Sequence, residues 1–216
     1  MKDHSSGGPG HRNIGCAIFC NPSKLTVMSS KRVHLKDFAP LSNCRSHEFY
    51  VDVQSKSNTM VMMLVKIIAT NQTLVIANTH LFWNPEREDI KTAQACSVGL
   101  ALTHFCESCG YSKEDLPPLI LCGDFNGTPS RAMNDFGSQR SALFELLMNG
   151  ALPMDHPDHP DKFHVLVRDR PVCPRLGDLR IDWTLQNIFD GLQFKRYAPL
   201  FTTKTDDYQG WIDHIW

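Results

Sequence analysis

The sequence lacks a surplus of charge of either sign. Its 22 Lys and Arg stand against 23 Asp and Glu, a formal net charge of −1. A protein that grips nucleic acid over a broad electrostatic face is usually clearly basic. A polyanionic partner would therefore have to be drawn in locally, and a metal ion is one way to do it. Long hydrophobic runs are missing too. The longest, "MVMMLV" from Met60 to Val65, is far too short to cross a bilayer. The first 13 residues are polar and Gly-rich, with no apolar stretch of the secretory kind. There is no Gly-rich phosphate-cradling motif and no Gly-x-Ser-x-Gly turn, so the kinase, nucleotide triphosphatase and α/β-hydrolase classes fall away. No internal repeat or interdomain linker is visible.

What is present is an ordinary globular composition. The chain has 216 residues, 42% hydrophobic and 21% charged, enough for one sizeable core. Eight cysteines without a secretory signal read as reduced core residues of an intracellular protein. "IGCAIFC" reads as a short strand, followed by an Asn-Pro-Ser turn and a second strand. "SKRVHLK" reads as a solvated edge strand. "NTMVMMLVKIIATNQTLVIANTHL" reads as two long buried strands joined at Thr70–Gln72. Apolar residues recur at helical spacing from Glu86 to about Cys109, which predicts a helix packed on a sheet. "PPLILCGDF" is another buried strand, and "SALFELLMNG" a short helix capped at Asn149-Gly150. From Ala151 to about Arg180 the pattern dissolves into a long loop or insertion, and "GLQFKRYAPLFTTKTDDYQGWIDHIW" returns to strand-like character.

Two buried strands end in polar clusters. "TLVIANTH" delivers Asn78 and His80, and "LILCGDFNGTPS" delivers Asp124 and Asn126. Gly, Asp and Asn are also what a chain uses merely to leave a sheet, so either cluster alone is ambiguous. Asp213 lies inside the apolar run "GWIDHIW" and must find a partner or cost several kcal/mol, on the order expected for a buried charge. In open α/β sheets such strand ends converge on sites. Together they supply the parts for phosphodiester hydrolysis. Asp124 can hold a hard cation or orient water, while Asn126 and His80 can donate to phosphoryl oxygens as charge shifts. Mg²⁺ suits a site of one or two carboxylates plus phosphate and water. Two other signals carry less. "CESC" at Cys106–Cys109 has zinc-like spacing but no second Cys-x-x-Cys pair. "DHPDHPD" at Asp155–Asp161 reads as a stiff, exposed turn.

"NTHLFWNPEREDIKTAQ", "GDFNGTPS" and "YQGWIDHIW", with "GCAIFCNPSK", resemble the endonuclease/exonuclease/phosphatase superfamily, and within it the deadenylase branch. That branch holds the carbon-catabolite-repression-type deadenylases, nocturnin, the angel proteins and the 2′,5′-phosphodiesterase. The resemblance runs from about Gly15 to Trp216; Trp83 and Pro85 after "NTHL" point to the branch. It implies an α/β fold, the four-layer sandwich of the pancreatic-deoxyribonuclease type, present here only in part over residues 14–216. It implies a Mg²⁺-dependent (or Mn²⁺-dependent) 3′-to-5′ exoribonuclease releasing 5′-AMP from poly(A). His80, Asp124, Asn126 and Asp213 would be catalytic, and Asp124 and Asn126 would hold metal. Asn78 would support His80, and Asp213 would orient a histidine. Pro85 and Tyr208 would sandwich the terminal adenine. Adenine-containing RNA 3′ ends and subunits of a deadenylase complex are the expected partners, without DNA or membrane, in the cytoplasm or nucleus. His214 stands where the branch usually has Tyr and is given no catalytic role.

Two elements of the superfamily are not matched: the glutamate of an "LQE"-like strand end, with its upstream asparagine, and a Ser-Asp-His strand. The expectation is a chain cut at both ends, poorly stable and nearly inactive alone. Rival readings remain open. One is a same-fold enzyme acting on 2′,5′-oligoadenylate, a nucleotide cofactor, abasic DNA or a phospholipid head group. The other is a catalytically dead interaction module.

Overall fold

The computed structural model describes residues 15–40, 48–129, 140–163, 176–188, 202–204 and 209–216. Its centre is a five-stranded mixed sheet in the order β1-β2-β3-β4-β9. The strands are β1 (Leu25–His34), β2 (Thr59–Ile67), β3 (Thr73–His80), β4 (Leu119–Asp124) and β9 (Asp213–Ile215). β1, β2 and β3 pair antiparallel; a short turn joins β2 to β3, while residues 35–58 connect β1 to β2. The β2–β3 turn is tight because Asn71 adopts φ 62°, a left-handed conformation that Asn tolerates. β3 and β4 run parallel, and the crossover between them is the long helix α2 (Glu88–Ser108). β9 returns antiparallel against β4.

Alternation along the strands assigns each sheet face. Met60, Met62 and Leu64 of β2, Val75 and Ala77 of β3 and Leu121 of β4 point to one side. There they join Val98, Ala101, Leu102 and Phe105 of α2 and Leu143, Phe144 and Leu147 of α3 (Ala142–Asn149) in one core. Every residue of α2 from Asp89 to Gly99 is buried, so this helix lies inside the molecule rather than on it. Small residues make that possible: a Cβ on Gly99 would sit 2.5 Å from Ile181 Cγ2. Gly150 caps α3 at φ 69°. A short helix, α1 (Glu48–Gln54), sets Phe49 and Val53 against Ile90 and Ala93 of α2.

The mixed α/β architecture expected from the sequence is present, with corrections. Residues 15–20 form no strand. They lie across the other sheet face, where Asn78 Nδ2 donates to Ala17 O (3.3 Å) and Cys20 Sγ meets Met63 Sδ (3.3 Å). The segment spends its polar groups on side-chain contacts instead of a ladder. "DHPDHPD" is not an exposed turn, because His156, Asp158 and His159 are buried. Each histidine Nδ1 accepts the N–H two residues on, at Asp158 (3.1 Å) and Asp161 (3.2 Å), which lets the prolines turn the chain inward. Around it stand β5 (Ala151–Leu152) paired with β6 (Leu179–Arg180), and α4 (Pro160–Phe163). β7 (Thr203–Lys204) pairs with β8 (Gln209–Gly210). Among the described residues no helix is long and apolar enough to cross a membrane.

Candidate active site

The strand register brings the site together. His80 is the last residue of β3 and pairs with Asp124, the last of β4. Asp124 in turn pairs with Asp213, the first of β9. Three residues distant in sequence thus form one row across three strands, on the face opposite α2. His80 Nε2 stands 3.5 Å from Asp124 Oδ2, and both side chains are about 30% open to solvent (32% and 27%).

The Asp124–Asn126 turn has a defined shape. Asp124 Oδ1 accepts the Asn126 N–H (2.9 Å), while Asn126 adopts φ 48° and its Nδ2 donates to Leu81 O (3.0 Å). A non-glycine residue held left-handed beside a strand end is a feature associated with functional sites. Leu81 N–H also donates to Asp124 O (2.9 Å), so the two strand-end loops are tied to each other. Burial lifts the Asp124 carboxyl above the ordinary carboxylate range, and the facing Asp213 adds to this. The Asn126 N–H, His80 and Lys91 pull the other way. Asp213 finds its partner in the Thr203 hydroxyl, which donates to Oδ2 (2.6 Å). The Thr202 hydroxyl accepts the Asp213 N–H (3.0 Å).

Asn78 lies two residues before His80 on the same face, but its amide goes to Ala17 rather than to the imidazole. Pro85 is exposed on the loop beyond His80, next to Trp83, which is 68% exposed. Tyr208 lies outside the described residues.

Sequence reasoning missed a second set. Asn58 Nδ2 donates to His80 O (2.8 Å), and Gln94 links Asn58 to the Phe82 N–H. Lys91, 1% exposed, donates to Asn126 O (2.8 Å). The one available signal was a lysine and a glutamine spaced three apart within a stretch, from Ile90 to Leu102, of otherwise small and apolar residues.

No family model matches the chain. Over 93% of its length it is 27% identical to the CCR4-Not complex 3'-5'-exoribonuclease subunit Ccr4 of Mycosarcoma maydis, covering 30% of that protein. It is 26% identical to the Ccr4 subunit of Schizosaccharomyces pombe, over 94% of the chain and 29% of the relative. Among solved structures it matches ANGEL2, a 2',3'-cyclic phosphatase seen with adenosine-2',3'-vanadate, at a TM-score of 0.58 and 20% identity. That match covers 90% of this chain and 56% of the other. The human nocturnin catalytic domain matches at 0.50 and 15% identity, over 90% and 48%. The resemblance is to the deadenylase branch of the endonuclease/exonuclease/phosphatase superfamily. The chain spans about 30% of these curated relatives and about half of these solved chains.

These two solved structures share their overall fold with this chain. A divalent cation suits the residues of the site row in one respect. Asp124 and Asp213 are like charges set opposite one another on neighbouring strands, an arrangement that is unfavourable without a counter-charge. Among the described residues no group of three or more His, Cys, Asp and Glu side chains could hold a metal. A hard cation such as Mg²⁺ can be held by as few as one or two carboxylates, with water and phosphate completing its shell.

Proposed function

We propose that this chain carries part of the active site of a Mg²⁺-dependent phosphodiesterase acting on RNA 3′ ends rich in adenine and releasing 5′-AMP. The observation that supports this most directly is the row His80–Asp124–Asp213 across three adjacent strand ends. The similarity to Ccr4 exoribonuclease subunits points the same way. Asp124, with Asn126 beside it, would hold the cation, which supplies charge neutralisation at the scissile phosphate when bound. His80 Nε2 donates to a non-bridging phosphoryl oxygen. Asp124 would also orient the attacking water. Asp213, steadied by Thr203, holds the negative charge of the row in place. Pro85, Trp83 and Tyr208 offer flat surfaces for adenine, where stacking is worth about 1–3 kcal/mol per base. Participation in a deadenylase complex, as in the CCR4-Not assemblies of the relatives, belongs to the same reading.

The test is a panel given to the full-length gene product with and without EDTA: 3′-oligoadenylate, 2′,5′-oligoadenylate, and RNA ending in a 2′,3′-cyclic phosphate. The last is included because ANGEL2 is described as a 2',3'-cyclic phosphatase. Stepwise release of 5′-AMP that needs Mg²⁺ is expected, and H80A and N126A should each lower kcat about 10²–10³-fold. Turnover of only one of the other substrates reassigns the specificity. No turnover of any of them leaves the interaction-module reading in its place.

A further inference from the structure

Helix α2 reaches both strand-end loops from inside the core. Lys91 and Gln94 lie one turn apart on it, at i and i+3, and so share a face. Both are buried, at 1% and 2% exposure. Gln94 Oε1 accepts the Phe82 N–H (2.8 Å), and its Nε2 donates to Asn58 Oδ1 (2.9 Å). Asn58 Nδ2 then donates to His80 O (2.8 Å), so this chain of bonds ends on the backbone of the site imidazole. Lys91 Nζ donates to Asn126 O (2.8 Å) and pairs with Glu88. It therefore ends on the residue whose N–H holds Asp124 Oδ1.

We propose that Lys91 and Gln94 are positioning residues, a buried two-point clamp by which α2 fixes His80 against the Asp124–Asn126 turn. Packing alone does not call for them. An ammonium inside the protein is unfavourable unless paired and hydrogen-bonded, and a leucine would fill the space without that cost. What a leucine cannot do is bond a backbone carbonyl. The Asn126 carbonyl belongs to a residue at φ 48°, a conformation that needs its surroundings to hold it. Lys91 bonds that residue from below while Leu81 O accepts from its side chain. Site geometry of this kind depends on groups that lock the contacting side chains from behind. The clamp carries its catalytic consequence only on the phosphodiesterase reading above, but its structural content stands apart from it.

The experiment uses the full-length protein and four variants: K91M, K91R, Q94L and the double variant K91M/E88Q. The double variant removes the acid that K91M would leave without its counter-ion. Amide hydrogen exchange is read by NMR. In K91M and K91M/E88Q, exchange at Asn126 N–H should rise at least tenfold while the β2 and β3 core amides stay as in wild type, and Q94L should do the same at Phe82 N–H. K91R, which keeps a donor for Asn126 O, should restore protection. On an RNA substrate, K91M should lower kcat about 10–100-fold with a smaller change in KM, the range typical of groups acting through a ligand. Uniform loosening of all amides, or equal behaviour of K91R and K91M, assigns Lys91 to bulk stability and overturns the clamp. Unchanged exchange at Asn126 overturns it too, whatever the activity. If the wild-type protein turns over no substrate, the exchange data alone decide the clamp, and the phosphodiesterase reading fails separately.

Discussion

His214 closes the core side of the site row. It is 2% exposed, its Nε2 lies 3.0 Å from Gly127 O and 3.1 Å from Trp211 O, and Asn187 Nδ2 stands 3.2 Å from Nδ1. Those partners fit a neutral ring with the proton on Nε2, and burial lowers its pKa below the ordinary 6.5. His159, fully buried, is lowered for the same reason. Because the folded pKa values lie below the unfolded ones, the unfolded chain takes up protons first as the medium acidifies. Stability is then independent of these groups above about pH 7 and falls as pH drops through 6.5 towards the folded values. Urea midpoints should decline from pH 7 to pH 5, and H214Y, carrying the residue the superfamily branch usually has, should flatten that slope. An unaltered slope in H214Y would remove His214 from the account. That His80, Asp124 and Asn126 stand where apolar strands end was legible in the sequence because polar residues close those runs, and Asp213 was legible because it breaks one. Asn58, Lys91, Gln94 and Thr203 were not. A polar residue in a helix, a loop or a short strand looks like solvated surface until the fold shows which side it faces.

At the scale of elements, the parallel pairing of β3 with β4 sets the distance between the two strand-end loops. Gly123 makes it possible. It adopts φ 152°, and a Cβ there would lie 2.0 Å from Thr79 O, closer than any side chain can come. Gly123→Ala must therefore push β4 from β3 directly beside the His80–Asp124 pair. Backbone strain alone should cost about 1–3 kcal/mol, read as a lower urea midpoint, and the variant should lose site function in excess of its loss of stability. A midpoint equal to wild type would show that the strands part easily and the close approach does not matter. β2, β3 and β4 were legible because each is a short apolar run with a clear stop, and α2 because its apolar stretch is too long for a strand. The segment at residues 15–20 was misread because its apolar residues resemble a strand, whereas its bonds run to side chains of a sheet face. "DHPDHPD" was misread because proline-rich polar text suggests exposure, while histidines that bond their own backbone can go inside.

For the molecule as a whole, the two faces of the sheet divide the work. One face, with Met62, Leu64, Ala77 and Leu121, is sealed by α2 and α3 and is almost inaccessible to water. The other carries the site row and is covered more thinly, with Ile120 39% and Ile215 40% exposed. The neighbouring positions Leu121 and Ile120 on β4 make this division measurable, because they share a strand, a hydrophobic character and a similar size. Leu121→Ala removes a fully buried side chain and should cost about 2–5 kcal/mol. Ile120→Ala, on the open face, should cost less than half as much, since much of that side chain remains in water in the folded chain. Equal losses would mean that something covers the open face as tightly as α2 covers the other. The site row would then be reached only through that cover, and the access of a polynucleotide to His80 and Asp124 would depend on its moving aside.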